Sequence, residues 1–137
     1  MFGTYALIIE LKNSSQNVNY LIYICFRMKA HLIKKQTLED FAIRHPGSKS
    51  SLEDWTEKLK LADWEQPGEM KKTYNTADLL GKSSNRVVFD IAGNNYRMIC
   101  KYLFGAKQVH LFVCWLGTHA AYDKLCKQQE QYTINLY

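Results

Sequence analysis

The sequence predicts that residues 28–137 form one α+β domain, in which an antiparallel sheet packs against two N-terminal helices. Three observations predict this class. Two amphipathic stretches occupy residues 37–47 and 51–64, three β-prone runs follow near the C-terminus, and a capped helix start comes last. The predicted order of elements is β-α-α-β-β-β-α, and such segregation of helices and strands is typical of α+β proteins.

Residues 1–27 are predicted to be an N-terminal extension, and Met28 is an alternative start of the chain. Two β-prone pieces, Thr4–Leu11 and Val18–Phe26, flank the polar turn NSSQN. The apolar run Tyr20–Phe26 is too short to cross a bilayer, and no basic start or small-residue cleavage site indicates a secretory signal. We therefore expect a cytoplasmic protein with no membrane partner.

The segment MKAHLI is predicted to be a short strand, and two helices follow it. Thr37 is the predicted N-cap of the first helix, Pro46 and Gly47 its stop, and Ser51 the predicted N-cap of the second. The positions predicted to face the core are Leu38, Phe41 and Ala42 in the first helix and Leu52, Trp55, Leu59 and Ala62 in the second.

The second half of the domain is predicted to be mainly sheet. A connecting stretch, residues 66–85, carries one helical turn with Lys71 and Lys72. The strands RVVFDI, YRMICKYLF and VHLFVCWL come next, and the short turns AGNN and GAKQ join them into an antiparallel meander. Thr118 then caps the last helix.

The formal net charge is +5, and all of this excess lies in the second half of the chain. Residues 1–69 hold nine Lys and Arg against nine Asp and Glu, whereas residues 70–137 hold nine against four. A polyanion such as RNA would bind to that half. A solvated basic surface without a partner explains the same charges.

The cysteine and histidine spacings argue against a metal site. The four cysteines include no CxxC pair, and the four histidines show no HxxxH or HExxH spacing. We expect reduced thiols, no structural zinc and no cofactor.

One face of the second meander strand is predicted to be basic. Strand alternation places Arg97, Ile99 and Lys101 on the same face, and a loop with Lys71 and Lys72 precedes the meander. Arginine offers a planar fork of donors and lysine a point charge, so these side chains suit a phosphate cradle. Ordinary solvated charges account for the pattern equally well.

The segment THAAYD combines a helix cap with groups that move protons. His119 and Asp123 are four residues apart and lie on one side of the helix, and Tyr122 follows the first turn. Asp123 would orient the imidazole, and the imidazole would exchange protons near neutral pH. Helix capping beside a surface histidine explains the same residues, and two ligands do not make a metal site.

Taken in order, LADWEQPGEMKKTY, ADLLG, NRVVFDIAGNNYRMI and GTHAAYDKL resemble the HigB family of bacterial toxins, a branch of the RelE/ParE-like superfamily. The resemblance implies a RelE-like fold and a metal-independent endoribonuclease that cuts mRNA, typically on translating ribosomes. It also implies that a HigA-type antitoxin with a helix-turn-helix holds the toxin inactive. In such enzymes the 2′-hydroxyl of the RNA attacks the adjacent phosphate.

The resemblance assigns roles to single residues. Lys71 matches the lysine of the family's loop, Asn94 and Arg97 match its G-N-x-x-R segment, and His119, Tyr122 and Asp123 match its T-H-x-x-Y-D. It implies that His119 or Tyr122 handles protons while Lys71 and Arg97 hold the phosphate. Asp123 is the expected orienting partner. The expected RNA contacts are Lys72, Lys101 and Asn94, and the left-handed backbone that asparagine tolerates makes Asn94 a candidate for shaping the turn.

The chain departs from the family pattern at two informative positions. Ala121 stands where a glutamate commonly completes a capping box, which should weaken the helix start by ~0.5–1 kcal/mol. Cys114 stands where the last strand usually carries a basic residue, so reduced or displaced activity is expected if that residue contacts RNA.

Two other functions remain open at this level. One is a ParE-like toxin that inhibits a protein target such as gyrase without cutting RNA. The other is an inactive relic that still binds its antitoxin, which Cys114 and Ala121 would favour.

Overall fold

A computed structural model describes residues 28–137, and the two β-prone pieces predicted within residues 1–27 lie outside the described part. Six strands and four α-helices follow along these residues. They are β1 Met28–Ile33, α1 Gln36–Arg44, α2 Lys49–Leu61, β2 Asp63–Trp64, α3 Met70–Thr73, β3 Asp78–Leu80, β4 Arg86–Ile91, β5 Tyr96–Phe104, β6 Gln108–Thr118 and α4 His119–Lys127. The α+β class and all predicted helices and strands after residue 27 are confirmed. Two short strands, β2 and β3, were missed.

The six strands form one sheet in the order β2-β1-β6-β5-β4-β3. The predicted meander is confirmed, because β4, β5 and β6 pair antiparallel in sequence. The prediction of a purely antiparallel sheet was wrong, since β1 lies parallel to β6. Parallel neighbours need a long crossover connection, and α1, α2 and the following strands provide it.

The starts of the first two helices differ from the prediction. Thr37 is not an N-cap, because β1 ends at Ile33, Lys34 turns the chain with a positive φ of 61°, and α1 begins at Gln36. Ser51 is not an N-cap either, because a 3₁₀ turn after Pro46 runs directly into α2 at Lys49. In both places the preceding turn supplies a helical backbone, which leaves no extended residue to act as a cap.

Helices cover both faces of the sheet. The larger core lies beneath α1 and α2, where Leu38, Phe41, Leu52, Trp55 and Leu59 are buried as predicted. On the opposite face, which we call the α4 face, a second cluster packs beneath α4. It contains Val88, Ile99, Cys114, Trp115, Tyr122 and Leu125.

The chain after α4 returns across the α4 face. The backbone N–H of Leu136 donates to the carbonyl of Cys114 at 2.8 Å, and Arg86 Nη1 donates to the carbonyl of Ile134 at 2.5 Å. Arg86 is buried, so the bond to Ile134 supplies its guanidinium with a partner in place of water. The C-terminal segment, residues 133–137, is thereby fixed to β4 and β6.

None of the helices in residues 28–137 is both long enough and apolar enough to cross a membrane.

Candidate active site

The candidate site lies where β5 begins and β6 ends. Arg97 pairs with Gly117 across these two strands, and Tyr96 pairs with Thr118. The backbone N–H of His119 donates to the carbonyl of Asn95 at 3.0 Å, which ties the start of α4 to the turn between β4 and β5. Strand pairing therefore brings the predicted G-N-x-x-R and T-H-x-x-Y-D segments together.

The Arg97 guanidinium is held from three sides. Its Nη2 donates to Asn94 Oδ1 at 3.0 Å, its Nε lies 3.3 Å from a carboxylate oxygen of Asp90, and its Cζ lies 4.8 Å above the ring of Tyr122. The Asp90 contact has ion-pair distance without hydrogen-bond geometry. A guanidinium fixed over an aromatic face loses little freedom when it binds an anion, so Arg97 is prepared to receive a phosphate.

The helix start behaves as the sequence predicts. Thr118 is the N-cap of α4, and its hydroxyl accepts a hydrogen bond from the backbone N–H of Ala121 at 3.2 Å. The imidazole Nε2 of His119 lies 3.5 Å from a carboxylate oxygen of Asp123, which confirms the predicted proximity across one helical turn. The imidazole is 38% exposed, and its Nδ1 is buried without a hydrogen-bond partner among the described residues.

Tyr122 is buried in the second cluster rather than open to solvent. Burial is the main cause that raises the pKa of its phenol well above the usual value, and a hydrogen bond to Cys126 adds to this. The charge of Arg97 opposes the rise but does not cancel it. The raised pKa keeps this phenol protonated at neutral pH, and its ring lies beneath the Arg97 guanidinium.

Tyr122 rests in turn on Trp115, whose ring centroid lies 6.1 Å away at an interplanar angle of 47°. We call Trp115, Tyr122 and Arg97 the aromatic stack. Gly117 makes room for it, because a Cβ at that position would come within 2.6 Å of the Trp115 ring. Close packing against Trp115 therefore explains why a glycine occupies position 117.

Comparison with known proteins identifies the family of this chain. The sequence model for HigB toxins, described as the RelE-like toxic component of a toxin-antitoxin system, matches residues 48–125. The chain belongs to the HigB toxin family. The mRNA interferase HigB of Escherichia coli O6:H1 is 31% identical over 97 residues, which cover 71% of this chain and 92% of that relative.

The region that matches the family contains every residue predicted for the site, and direct contacts join only some of them. Lys71 and Lys72 lie on α3, whose Met70 packs into the larger core, and Lys72 pairs with Glu69 at 3.3 Å. Among the hydrogen bonds and ion pairs of residues 28–137, neither lysine contacts Asn94, Asp90 or Asp123, the polar partners of Arg97 and His119.

Lys101 lies on the same face of β5 as Arg97, as alternation predicts, and it is exposed. The buried side chain of Ile99 separates the two. Lys101 therefore belongs to a neighbouring part of the α4 face and not to the immediate surroundings of His119.

Asn94 and Asp90 act differently from what the sequence suggested. Asn94 does not adopt a left-handed backbone, since the positive φ values of this turn fall on Ala92 at 54° and Gly93 at 66°. Its side chain holds Arg97 instead. Asp90 was missed, although a four-residue turn between β4 and β5 places it directly opposite Arg97, and that register was readable from the sequence.

Cys114 is buried in the second cluster, where a bulge in β6 shifts the register between Ile99 and Cys100 of β5. Its carbonyl is engaged by Leu136. In this chain the position is part of the packing beside the C-terminal segment. Within the described residues, no three His, Cys, Asp or Glu side chains gather as a metal site would require.

Proposed function

We propose that this chain is an mRNA interferase, an endoribonuclease that cuts mRNA by attack of the 2′-hydroxyl on the adjacent phosphate. The observation that carries the proposal is an arginine fixed by Asn94, Asp90 and Tyr122 next to a histidine paired with a carboxylate. The family is the toxic component of a toxin-antitoxin system, and the curated relative from Escherichia coli is named an mRNA interferase.

In the proposed reaction the P–O2′ bond forms as the P–O5′ bond breaks. The 2′-hydroxyl loses a proton and the departing 5′-oxygen takes one. His119 exchanges one of these protons and solvent water the other. In the free protein His119 Nε2 lies 3.5 Å from Asp123, and Nε2 turns from this carboxylate to the RNA when the substrate binds, while the nearby negative charge still stabilises the imidazolium. Nδ1 is buried and therefore cannot reach the substrate.

Arg97 would stabilise the charge that develops on the phosphoryl oxygens. Its planar fork can bind two of these oxygens, and its position is set before the substrate arrives. Lys71 is the proposed second cation, brought to the phosphate when the RNA binds. Lys72 and Lys101 would bind the backbone farther away, and Asn94 and Asp123 are the proposed positioning residues for Arg97 and His119.

We propose that cleavage takes place in the cytoplasm on translating ribosomes and that a HigA-type antitoxin with a helix-turn-helix neutralises the toxin. The family resemblance supports both statements. The excess of basic residues in the second half of the chain favours RNA as the partner of this region. An inhibitor of gyrase would have no use for the His119–Asp123 pair.

The test is brief expression of the chain in growing bacteria, followed by mapping of new mRNA 5′ ends. The mechanism leaves a 5′-hydroxyl, so the new ends should be substrates for a kinase and not for a 5′-phosphate-dependent ligase. A His119→Ala variant should lose these ends, whereas a Lys58→Ala variant, which changes an exposed lysine of α2, should keep them. Growth arrest with intact mRNA would contradict the proposal and favour a protein target.

The same ends should form in vitro on translating ribosomes after EDTA treatment of the toxin alone, because the proposed chemistry uses only side chains. If EDTA treatment abolishes cleavage and Mg²⁺ or Zn²⁺ added to the toxin restores it, a metal takes part in the reaction.

A further inference from the structure

Six side chains on the α4 face form two rows that run across β5, β6 and β1. The strand registers align Leu103, His110 and His31 in one row and Lys101, Phe112 and Ile33 in the next. Their shared direction follows from alternation, because the intervening residues Ala30, Leu32, Val109 and Leu111 pack into the larger core. We call these six residues the open patch.

Neither α4 nor the C-terminal segment covers the open patch. The two cover the neighbouring part of the same face, where Ile99 and Cys114 are buried. In the open patch Leu103 is 55% exposed and Phe112 is 38% exposed, and His31 and Lys101 are exposed as well. Large apolar and aromatic side chains grouped at a surface indicate a binding site.

The rings of the open patch are close enough to act together. The His31 and His110 centroids are 6.3 Å apart with the rings nearly perpendicular, at 88°, and the His110 and Phe112 centroids are 6.4 Å apart at 32°. Exposed aromatic rings on a sheet are a common platform for unpaired bases, because every base has a face that can stack.

The charge of the open patch favours RNA over the other ligands that could bind such a surface. Lys101 lies directly opposite Phe112, and none of the six side chains is a carboxylate. A phosphate can therefore pair with Lys101 while its base stacks on the adjacent ring. A purely apolar protein segment would leave the lysine and the imidazoles without a partner.

We propose that the open patch binds an unpaired stretch of the mRNA that is cut at Arg97 and His119. This inference rests on the proposed function and adds a substrate-binding region to it. Arg97 and Lys101 lie on the same face of β5, four residues apart, which corresponds to about 13 Å along a strand. A few nucleotides cover that distance, passing over the C-terminal segment.

The experiment measures binding of a short unpaired RNA whose 2′-hydroxyls are all methylated, so that no variant can cut it. A His31→Ala, Phe112→Leu double variant removes two rings but keeps apolar volume at position 112. Its Kd should rise about 10-fold or more, since stacking on one aromatic side chain corresponds to about 5- to 150-fold. Ile43→Ala, at an exposed apolar position of α1, is the control and should leave Kd unchanged.

The charge is tested separately. Lys101→Gln should raise Kd and reduce the slope of log Kd against log salt by about 0.7, the value for one phosphate contact on a single strand. Lys58→Gln, an exposed lysine of α2 behind the larger core, should change neither quantity. His31 and Lys101 are exposed, so these changes test binding without disturbing the core.

Cleavage of mRNA by the parent chain is measured alongside, which separates the two proposals. If the parent cuts mRNA while the open-patch variants bind RNA as tightly as the parent, the inference is wrong and the proposed function stands. If binding depends on the open patch but nothing is cut, the inference stands without the nuclease. Weaker antitoxin binding with unchanged RNA affinity would make the open patch a protein interface and overturn the inference.

Discussion

At the scale of single residues, we propose that His119 exchanges protons and that Tyr122 supports Arg97. His119 is partly exposed and paired with Asp123, whereas Tyr122 is buried and carries Arg97 on its ring. The two residues are three positions apart on one helix, and the burial of Tyr122, which raises the pKa of its phenol, favours His119 for proton transfer at neutral pH.

Substitution at Tyr122 tests this division. Tyr122→Phe keeps the aromatic face under Arg97 and should retain the cleavage rate within about 3-fold, while Tyr122→Leu should lose about 10-fold because the cation–π support is gone. The measurement is the rate of mRNA cleavage by purified protein on ribosomes. Equal loss in both variants would show that the hydroxyl takes part in the reaction.

At the scale of elements, the start of α4 has one half of a capping box. The Thr118 hydroxyl accepts a hydrogen bond from the backbone N–H of Ala121. The methyl side chain of Ala121 cannot accept a hydrogen bond from the backbone N–H of Thr118 in return. Ala121→Glu should complete the capping box and raise the free energy of unfolding by ~0.5–1 kcal/mol in urea denaturation. Ala120→Glu, one position earlier on the exposed side of the helix, is the matched control, and an equal gain there would mean that charge alone is responsible.

The end of β6 is the second element on which the site depends. Gly117→Ala would place a methyl group within 2.6 Å of the Trp115 ring and displace the aromatic stack. We expect a loss of ~1–3 kcal/mol in the free energy of unfolding, typical of overpacking. We also expect lower cleavage activity, because Tyr122 and Arg97 would move with Trp115.

Gly81→Ala is the matched control for that substitution, since an added Cβ there meets nothing within 4 Å. A Gly117→Ala protein with parental stability and activity would show that the stack can shift without consequence.

At the scale of the whole molecule, the C-terminal segment closes the second cluster. Arg86 on β4 donates to the carbonyls of Gln131 and Ile134, and Leu136 binds the carbonyl that the bulge at Cys114 leaves free. The last residues of the chain therefore complete the hydrogen bonding of two strands that lie far earlier in the sequence.

Removal of residues 134–137 should lower the free energy of unfolding by ~2–4 kcal/mol, since a buried guanidinium loses a charged hydrogen bond and apolar side chains become exposed. Urea denaturation of the truncated and full chains measures the difference. Leu136→Ala keeps the backbone bond and changes a side chain that is 62% exposed, so it should cost little. Equal stability of the truncated chain would contradict the proposed closure.

The features that could be predicted from the sequence are those that depend on neighbouring residues. Hydrophobic periodicity and turn residues are local properties, so they predicted β1, α1, α2 and the meander close to their observed bounds. The helix cap at Thr118 and the His119–Asp123 pair were predictable for the same reason, because both depend on spacing within one helical turn. The strands β2 and β3 were missed because two or three residues show no period of their own.

By itself, the sequence determined the α+β class, the placement of the basic excess in the second half and the residues that begin α4. Only the tertiary structure decided which of those residues meet. It placed Arg97 beside the start of α4, added Asp90 and Asn94 as its partners, and buried Tyr122 and Cys114. The physical reason is that burial and contacts between distant segments depend on strand register and on which helix covers each face of the sheet, and neither is encoded within a short stretch of residues.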